Sequence, residues 1–409
     1  MTKRFCHAFT AFTACTALTA LAGACSSADP NAPPTPVRTT AAITPAELRT
    51  RLWIVAADSM GGRLAGGPGD ARATSYLAAE VARLGLEPAG DGGTYFQAVP
   101  LPNGTQGRNV VAILRGRDPV LRNQYVALGA HSDHLGMRRP PLDHDSLRAF
   151  NHVMRPFGAE SPRAEPTAAQ WAEIRAAIDS LHRLHDGPRP DSVANGADDD
   201  GSGTVALLEM AEAFAALQGA DAPKRSILFV WHTGEELGLV GSRWFTDHPT
   251  VPRDSIVAQL NMDMIGRGSK ADLAPMPGAG DTTGGPRYVQ LIGSRRLSTE
   301  LGDLVETVNR TGGHGFTFDY QFDAPGHPVQ YYCRSDHYEY ARYGIPIVFF
   351  STGGHQDYHQ LTDEPQYIDY DHLANVVRLV ADIARHVADL DHRPAVDGVV
   401  AGPEAPCRQ

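Results

Sequence analysis

The sequence predicts an α/β fold with a central, mostly parallel, twisted sheet flanked by helices on both faces. Three observations predict it. Five short runs, at residues 109–114, 125–128, 226–231, 256–260 and 345–350, are almost continuously apolar and rich in β-branched or aromatic residues. That is the composition of strands covered on both faces. Helical stretches separate the runs, an alternation that produces a helix-covered sheet. The polar residues with chemical potential fall just past the carboxyl ends of these runs, where open α/β sheets gather their ligands. A chain of 409 residues can bury a large core, and one large domain suits it better than two small ones.

In chain order, Lys3 and Arg4 precede an apolar run that ends at Ala22-Gly23-Ala24, followed by Cys25. This is the pattern of an export signal over residues 1–24, too short for a spanning helix. The cleavage site resembles the bacterial lipobox, with Ala22 where Leu is usual. Cys25 is therefore the expected lipidation site, plain secretion being the alternative. Either outcome takes the protein out of the cytoplasm, as a periplasmic, membrane-anchored or secreted chain, with the membrane reached only through that lipid. Residues 25–42, rich in Pro, Ala, Ser and Thr, suit a flexible tether. The folded domain is expected over 43–392, with a tail at 393–409.

Thr44 and Glu47 form a capping-box-like helix start. A second helix is expected over about 70–84, where Tyr76, Leu77, Val81 and Leu84 recur at helical spacing before Gly85 ends it. Residues 137–190 form an insertion whose one amphipathic helix carries the stripe Trp171, Ile174, Ile178 and Leu181. Such a stripe packs against a neighbour more often than it shapes a ligand site. Of the five cysteines, Cys6 and Cys15 leave with the signal, so Cys25, Cys333 and Cys407 remain. That is no disulfide framework. A Cys333–Cys407 bridge is permitted in an oxidising compartment, and sequence leaves it open. The net charge of −11 argues against a nucleic-acid partner, which requires a concentrated basic face.

Five segments supply imidazole and carboxylate at strand-to-loop junctions: His131-Ser132-Asp133-His134, the run Asp198-Asp199-Asp200 between Gly196 and Gly201, Glu235-Glu236, Asp263, and His359. Imidazole with carboxylate and no thiolate suits zinc, with cobalt or manganese as substitutes. An acidic run is usually solvated, but one flanked by glycines and entering an apolar helix is more constrained.

Taken in this order, the segments resemble the two-zinc aminopeptidases related to bacterial leucyl aminopeptidase and aminopeptidase Y, family twenty-eight of the metallopeptidases, which also contains glutamate carboxypeptidases. The resemblance runs from about residue 43 to 390 and includes Gly61-Gly62-Arg63 and Gly85-Leu86-Glu87-Pro88. It implies a zinc-peptidase-like, phosphorylase/hydrolase-like fold and two zinc ions per chain. His131 and Asp263 would hold one ion, Glu236 and His359 the other, and Asp199 would bridge. It also implies Glu235 as general base, Asp133 as the carboxylate orienting His131, and Tyr332, or else Tyr331, on the substrate carbonyl. His134 is taken as a loop residue and Asp198 and Asp200 as neighbours of the ligand. His232, His314, His327 and His355 are left outside the site, and Ser335-Asp336-His337 is scaffold rather than a nucleophilic triad. The implied function is an exopeptidase, foremost an aminopeptidase that removes the N-terminal residue of a peptide with a metal-bridging water. A carboxypeptidase, a glutaminyl cyclase and a catalytically silent binding domain are the alternatives.

Overall fold

The five apolar runs become five neighbouring strands at the middle of a nine-stranded sheet, in a computed structural model that describes residues 32–273 and 283–409. The expected signal segment and Cys25 lie outside the described residues. The strands are β1 (Glu87–Pro88), β2 (Phe96–Pro100), β3 (Gln106–Leu114), β4 (Tyr125–His131), β5 (Gly136–Asp143), β6 (Pro190–Ala194), β7 (Ser226–His232), β8 (Ile256–Met262), β9 (Tyr288–Ile292), β10 (Thr317–Asp319) and β11 (Ile347–Ser351). The sheet order is β1-β3-β7-β4-β8-β11-β9-β10, with β2 also on β3. Strands β7, β4, β8 and β11 are parallel, whereas β3 meets β7 and β9 meets β11 antiparallel. The sheet is thus parallel at its centre and antiparallel toward both flanks.

The strands read as continuous apolar runs because alternate side chains enter two different cores. Val126, Leu128 and Ala130 of β4, with Ile227, Phe229 and Trp231 of β7, point into one core; Tyr125, Ala127, Leu228 and Val230 point into the other. Among the described residues ten α-helices accompany the strands: α1 (Pro45–Val55), α2 (Pro68–Arg83), α3 (His144–Met154), α4 (Ala168–Leu184), α5 (Gly203–Ala215), α6 (Val240–Asp247), α7 (Lys270–Leu273), α8 (Thr299–Thr311), α9 (His337–Ala341) and α10 (Tyr370–Asp389). Helices α1, α2, α5, α8 and α10 supply the first core, and residues of α6, α7 and α9 the second. Helix α5 is buried along almost its whole length, which explains why Val205–Phe214 is apolar apart from Glu209 and Glu212. Arg51 of α1 is buried against α5, with Nε 2.7 Å from Glu209 and a second ion pair to Glu212.

Residues 33–409 form one compact unit. The last part of the expected tether leans on α1, where Val37 N–H and Thr40 hydroxyl donate to Thr50 and Glu47 at 3.3 and 2.8 Å. At the other end, the Cys333–Cys407 disulfide is formed, and Gln409 accepts the Tyr332 N–H at 2.9 Å. The bridge that sequence left open therefore ties the tail to the body.

The inserted segment leaves on β5 and returns on β6, an antiparallel pair that forms its own two-stranded sheet. Between them α3 and α4 pack together. Ile174 is buried, Phe150 and Trp171 lie 6.2 Å apart between ring centres, and Trp171 keeps one edge exposed. The stripe on α4 is thus a packing face.

Asp143 caps α3. Its carboxylate accepts the Ser146 N–H at 3.1 Å, the Ser146 hydroxyl and the Arg189 N–H at 2.9 Å, and lies 2.7 Å from His182 Nε2 of α4. Although partial burial opposes its charge, these donors hold the Asp143 carboxyl down at about 2. A depressed carboxyl stabilises the fold above its unfolded value, roughly 3.9, and that contribution is lost as pH falls through about 2. Asp143→Ala is therefore expected to weaken α3 by about 1 kcal/mol near neutral pH. The loss should shrink toward pH ~2, where the wild-type cap is itself half protonated. Hydrogen exchange of the α3 amides, corrected for intrinsic rate at each pH, checks this. An equal loss at both pH values would contradict it.

Candidate metal centre

Three parallel strands, β4, β7 and β8, end side by side and deliver His131, the Glu235-Glu236 pair and Asp263 to one edge of the sheet. Asp199 arrives on the turn before α5, and His359 on the loop after β11. Asp199 sits between two sets of donors. Its Oδ1 lies 3.2 Å from His131 Nε2, which is also 3.6 Å from Asp263 Oδ1. Its Oδ2 lies 3.0 Å from His359 Nε2, which in turn is 3.0 Å from Glu236 Oε2. The five residues expected as ligands therefore converge, divided into two sets that share Asp199.

His134 differs from expectation. It is fully buried and its Nδ1 lies 2.8 Å from Glu236 Oε1 and 3.8 Å from Asp199 Oδ2. Even so, both of its ring nitrogens, Glu236 Oε1 and Asp199 Oδ2 lack a hydrogen-bond partner. Close polar atoms that do not bond to one another, deep in a protein, are an unfavourable arrangement unless something else joins them. A divalent cation is the economical answer. His131, Asp199 and Asp263 offer one triad of converging ligand atoms, and His134, Asp199 and Glu236 another. Only nitrogen and oxygen donors are present, which fits zinc.

The triple-acid run is not solvated: Asp198, Asp199 and Asp200 are each at most 2% exposed. Each has its own partners. Asp198 accepts the Gly266 N–H at 2.6 Å and lies 3.2 Å from His355. Asp200 accepts the N–H groups of His131 and Gly203 at 3.1 and 2.9 Å. Asp363 accepts the N–H groups of Asp198 and Asp199 at 3.0 Å. The turn requires glycine at position 196, where φ is +53° and an added Cβ would lie 2.3 Å from Asp199 O.

Arg63 was legible only as part of a motif, and the structure gives it a role. Its fully buried guanidinium donates to the carbonyls of Ser132, Val55, Asn195 and Gly196 at 2.9, 3.1, 2.5 and 2.8 Å. It binds the His131 loop to the Asp199 turn. Adjacent Gly62 has φ +64°, and a Cβ there would stand 2.3 Å from Gly136 O. Ser335 is a further residue whose role sequence did not show: its hydroxyl donates to Asp263 Oδ2 at 2.7 Å and accepts from Asn261 at 2.9 Å. Neighbouring Asp336 pairs instead with His232 at 3.4 Å, so Ser335-Asp336-His337 forms no triad.

Asp133 lies beside the His131 ring. The closest oxygen to His131 Nδ1 is its main-chain carbonyl, at 3.2 Å, with the carboxylate at 3.8 Å. That carboxylate accepts the Glu235 N–H at 3.1 Å. It therefore braces the residue expected as base. The Tyr332 expectation is corrected outright: its ring is buried in the second core, with the Arg296 guanidinium 4.1 Å from the ring centre. Tyr331, one residue earlier, lines the cleft beside the donors. A one-residue choice in a short turn decides which ring faces inward, and no periodicity distinguishes the two in sequence.

The carboxyls differ in proton affinity. His131 and His359 hold Asp199 well below its usual range against the cost of burial, and His134 and His359 lower Glu236. Burial lifts Glu235 well above the ordinary carboxylate range, with repulsion from Asp263 and Glu236 adding to it. Adjacent glutamates are thus split into one that stays ionised and one that binds protons readily. The His359 loop is itself clamped. His359 has φ +55°, and Asp357 pairs with Arg148 of α3 at 2.8 Å and Arg267 at 3.0 Å.

The chain is similar to several known proteins. Leucine aminopeptidase 1 of Coccidioides posadasii is 31% identical over 207 residues, 48% of this chain and 47% of that one. The chain thus spans about half the length of the curated relatives it matches. A Zn-dependent exopeptidase from Parabacteroides distasonis superposes with a TM-score of 0.53 at 18% identity, covering 84% of this chain and 98% of the other. Porphyromonas gingivalis glutaminyl cyclase gives 0.52 at 19% identity, covering 83% and 97%. At such identities these two likenesses speak to the fold. The profile of Peptidase family M28 matches residues 109–384, which span β3 to α10 and carry all five converging donors, and the chain belongs to that family.

Proposed function

We propose that the protein is an exported, two-zinc aminopeptidase that hydrolyses the N-terminal peptide bond of peptides. The observation that carries the reading is the single carboxylate of Asp199, whose two oxygens each face a separate histidine-and-carboxylate set. His131 and Asp263 would hold one zinc and Glu236 and His359 the other, with Asp199 common to both. Zinc bound there would supply Lewis-acid polarisation and lower the pKa of coordinated water toward roughly 7.

The chain's own residues do the rest. Glu235, braced through its N–H by Asp133, takes the proton of the attacking water and returns it to the departing amine. Ser335 and Asn261 hold Asp263 in one orientation. Met264 and Phe349 give the cleft an apolar wall for a substrate side chain. The Cys333–Cys407 bridge supports export, because such bonds persist in oxidising compartments. A cleaved signal at 1–24 and lipidation at Cys25 belong to the same reading. Among the described residues no helix is long and apolar enough to cross a membrane.

Elemental analysis of the purified mature protein, paired with a panel of peptides and aminoacyl anilides, tests the proposal. Two zinc ions per chain with release of the amino-terminal residue is the expected result. One zinc with cyclisation of N-terminal glutamine and no cleavage would replace it with a cyclase. Release from the carboxyl end alone would keep the centre and reverse the polarity.

A further inference from the structure

The cleft beside the donors is lined in part by an ion pair that the hydrolytic chemistry leaves unused. Its lining includes Asp263, His359, Phe349 and Tyr331, together with Glu160 and Arg334. Glu160 comes from the inserted segment, at the end of the turn Gly158–Glu160, and Arg334 follows the turn Tyr331–Cys333. The two side chains pair. Arg334 also donates to the Tyr358 hydroxyl at 3.1 Å, and the Tyr358 ring stacks on His359 with centres 4.0 Å apart.

The insertion's turn is fixed in place. Ala159 N–H donates to Tyr358 O at 3.0 Å, and a Cβ on Gly158 would stand 2.2 Å from that same oxygen. Opposite, Gly354 leaves open space: a Cβ there would have only Tyr331 Oη at 3.7 Å and Glu160 Oε2 at 4.0 Å nearby. The insertion thus contributes a charged group to a cleft whose other lining includes the metal-centre donors, the rings of Tyr331, Phe349 and Tyr358, and glycine backbone.

We infer that the Glu160–Arg334 pair forms part of the wall of the pocket for the substrate's terminal side chain, and that it selects neutral side chains over charged ones. This rests on the exopeptidase reading. The pair presents no net charge, so a cationic or anionic side chain meets one attractive and one repulsive partner while giving up its hydration. A neutral side chain gives up far less. Removing one partner leaves the other as an uncompensated charge in the pocket wall, and the preference should then follow its sign.

The test is kcat/KM for anilides of leucine, lysine and glutamate, measured on the zinc-loaded full chain. The wild type should favour leucine over both charged residues. Glu160→Gln should raise the glutamate-to-leucine ratio by about tenfold or more, and Arg334→Gln should do the same for lysine-to-leucine. The charge-swapped double variant, Glu160→Arg with Arg334→Glu, should restore the neutral preference. Single variants that keep leucine activity with unshifted ratios, or that both shift toward the same charge, would overturn the role of the pair alone. A wild type that releases no terminal residue from any substrate would overturn the exopeptidase reading, and the wall with it. If a charge variant does not fold, Gly354→Ala carries the test: its added methyl should lower the leucine-to-alanine ratio several-fold, and an unchanged ratio would count against the pocket.

Discussion

A Glu235→Gln enzyme is expected to keep both zinc ions and lose hydrolysis by about 10² to 10⁴-fold, the usual contribution of a positioned general acid/base. The amide matches the carboxylate in shape but cannot accept the water's proton, so the loss should fall on kcat with little change in KM. Glu235 lies outside both converging donor sets, whereas its neighbour Glu236 lies within one. Metal content should therefore separate the pair: Glu236→Gln should release zinc and Glu235→Gln should not. Full hydrolysis by Glu235→Gln would remove the base from the mechanism.

Asp199→Asn should have the larger effect on metal. One oxygen serves the His131 set and the other the His359 set, so the substitution disturbs both sets at once. Loss of both ions is expected, against loss of one for His359→Ala. Zinc measured per chain after dialysis against a weak chelator distinguishes the cases. An Asp199→Asn protein that retains two zinc ions would show that the carboxylate does not link the two sets.

Much of this centre was legible in the sequence because strand chemistry and ligand chemistry coincide. Apolar runs fix the strands, the strands end at one edge, and the histidines and acids directly beyond them are delivered together. His131, Glu236 and Asp263 converge for that reason, whereas Asp199 arrives on the turn before α5 and His359 on the loop after β11. What escaped notice depends on contacts between segments far apart in the chain. Arg63 reaches carbonyls as far as Gly196, 133 positions away, and an arginine after two glycines carries no sign of that span. Ser335 bonds to Asp263 across 72 positions. His134 looks like a loop residue because burial of a loop cannot be read from its own composition. Tyr331 and Tyr332 were indistinguishable until the turn set which ring faced the cleft. The insertion's length was apparent, but not that its turn would dock against the residue preceding His359.

The matched family region begins at residue 109, yet the guanidinium that fastens the His131 loop to the Asp199 turn belongs to Arg63. Leu48, Leu52 and Val55 of α1 likewise fill the core beneath the sheet. The recognisable peptidase portion is therefore not self-sufficient. A chain cut back to those boundaries would retain every expected ligand while losing the brace that ties the His131 loop to the Asp199 turn.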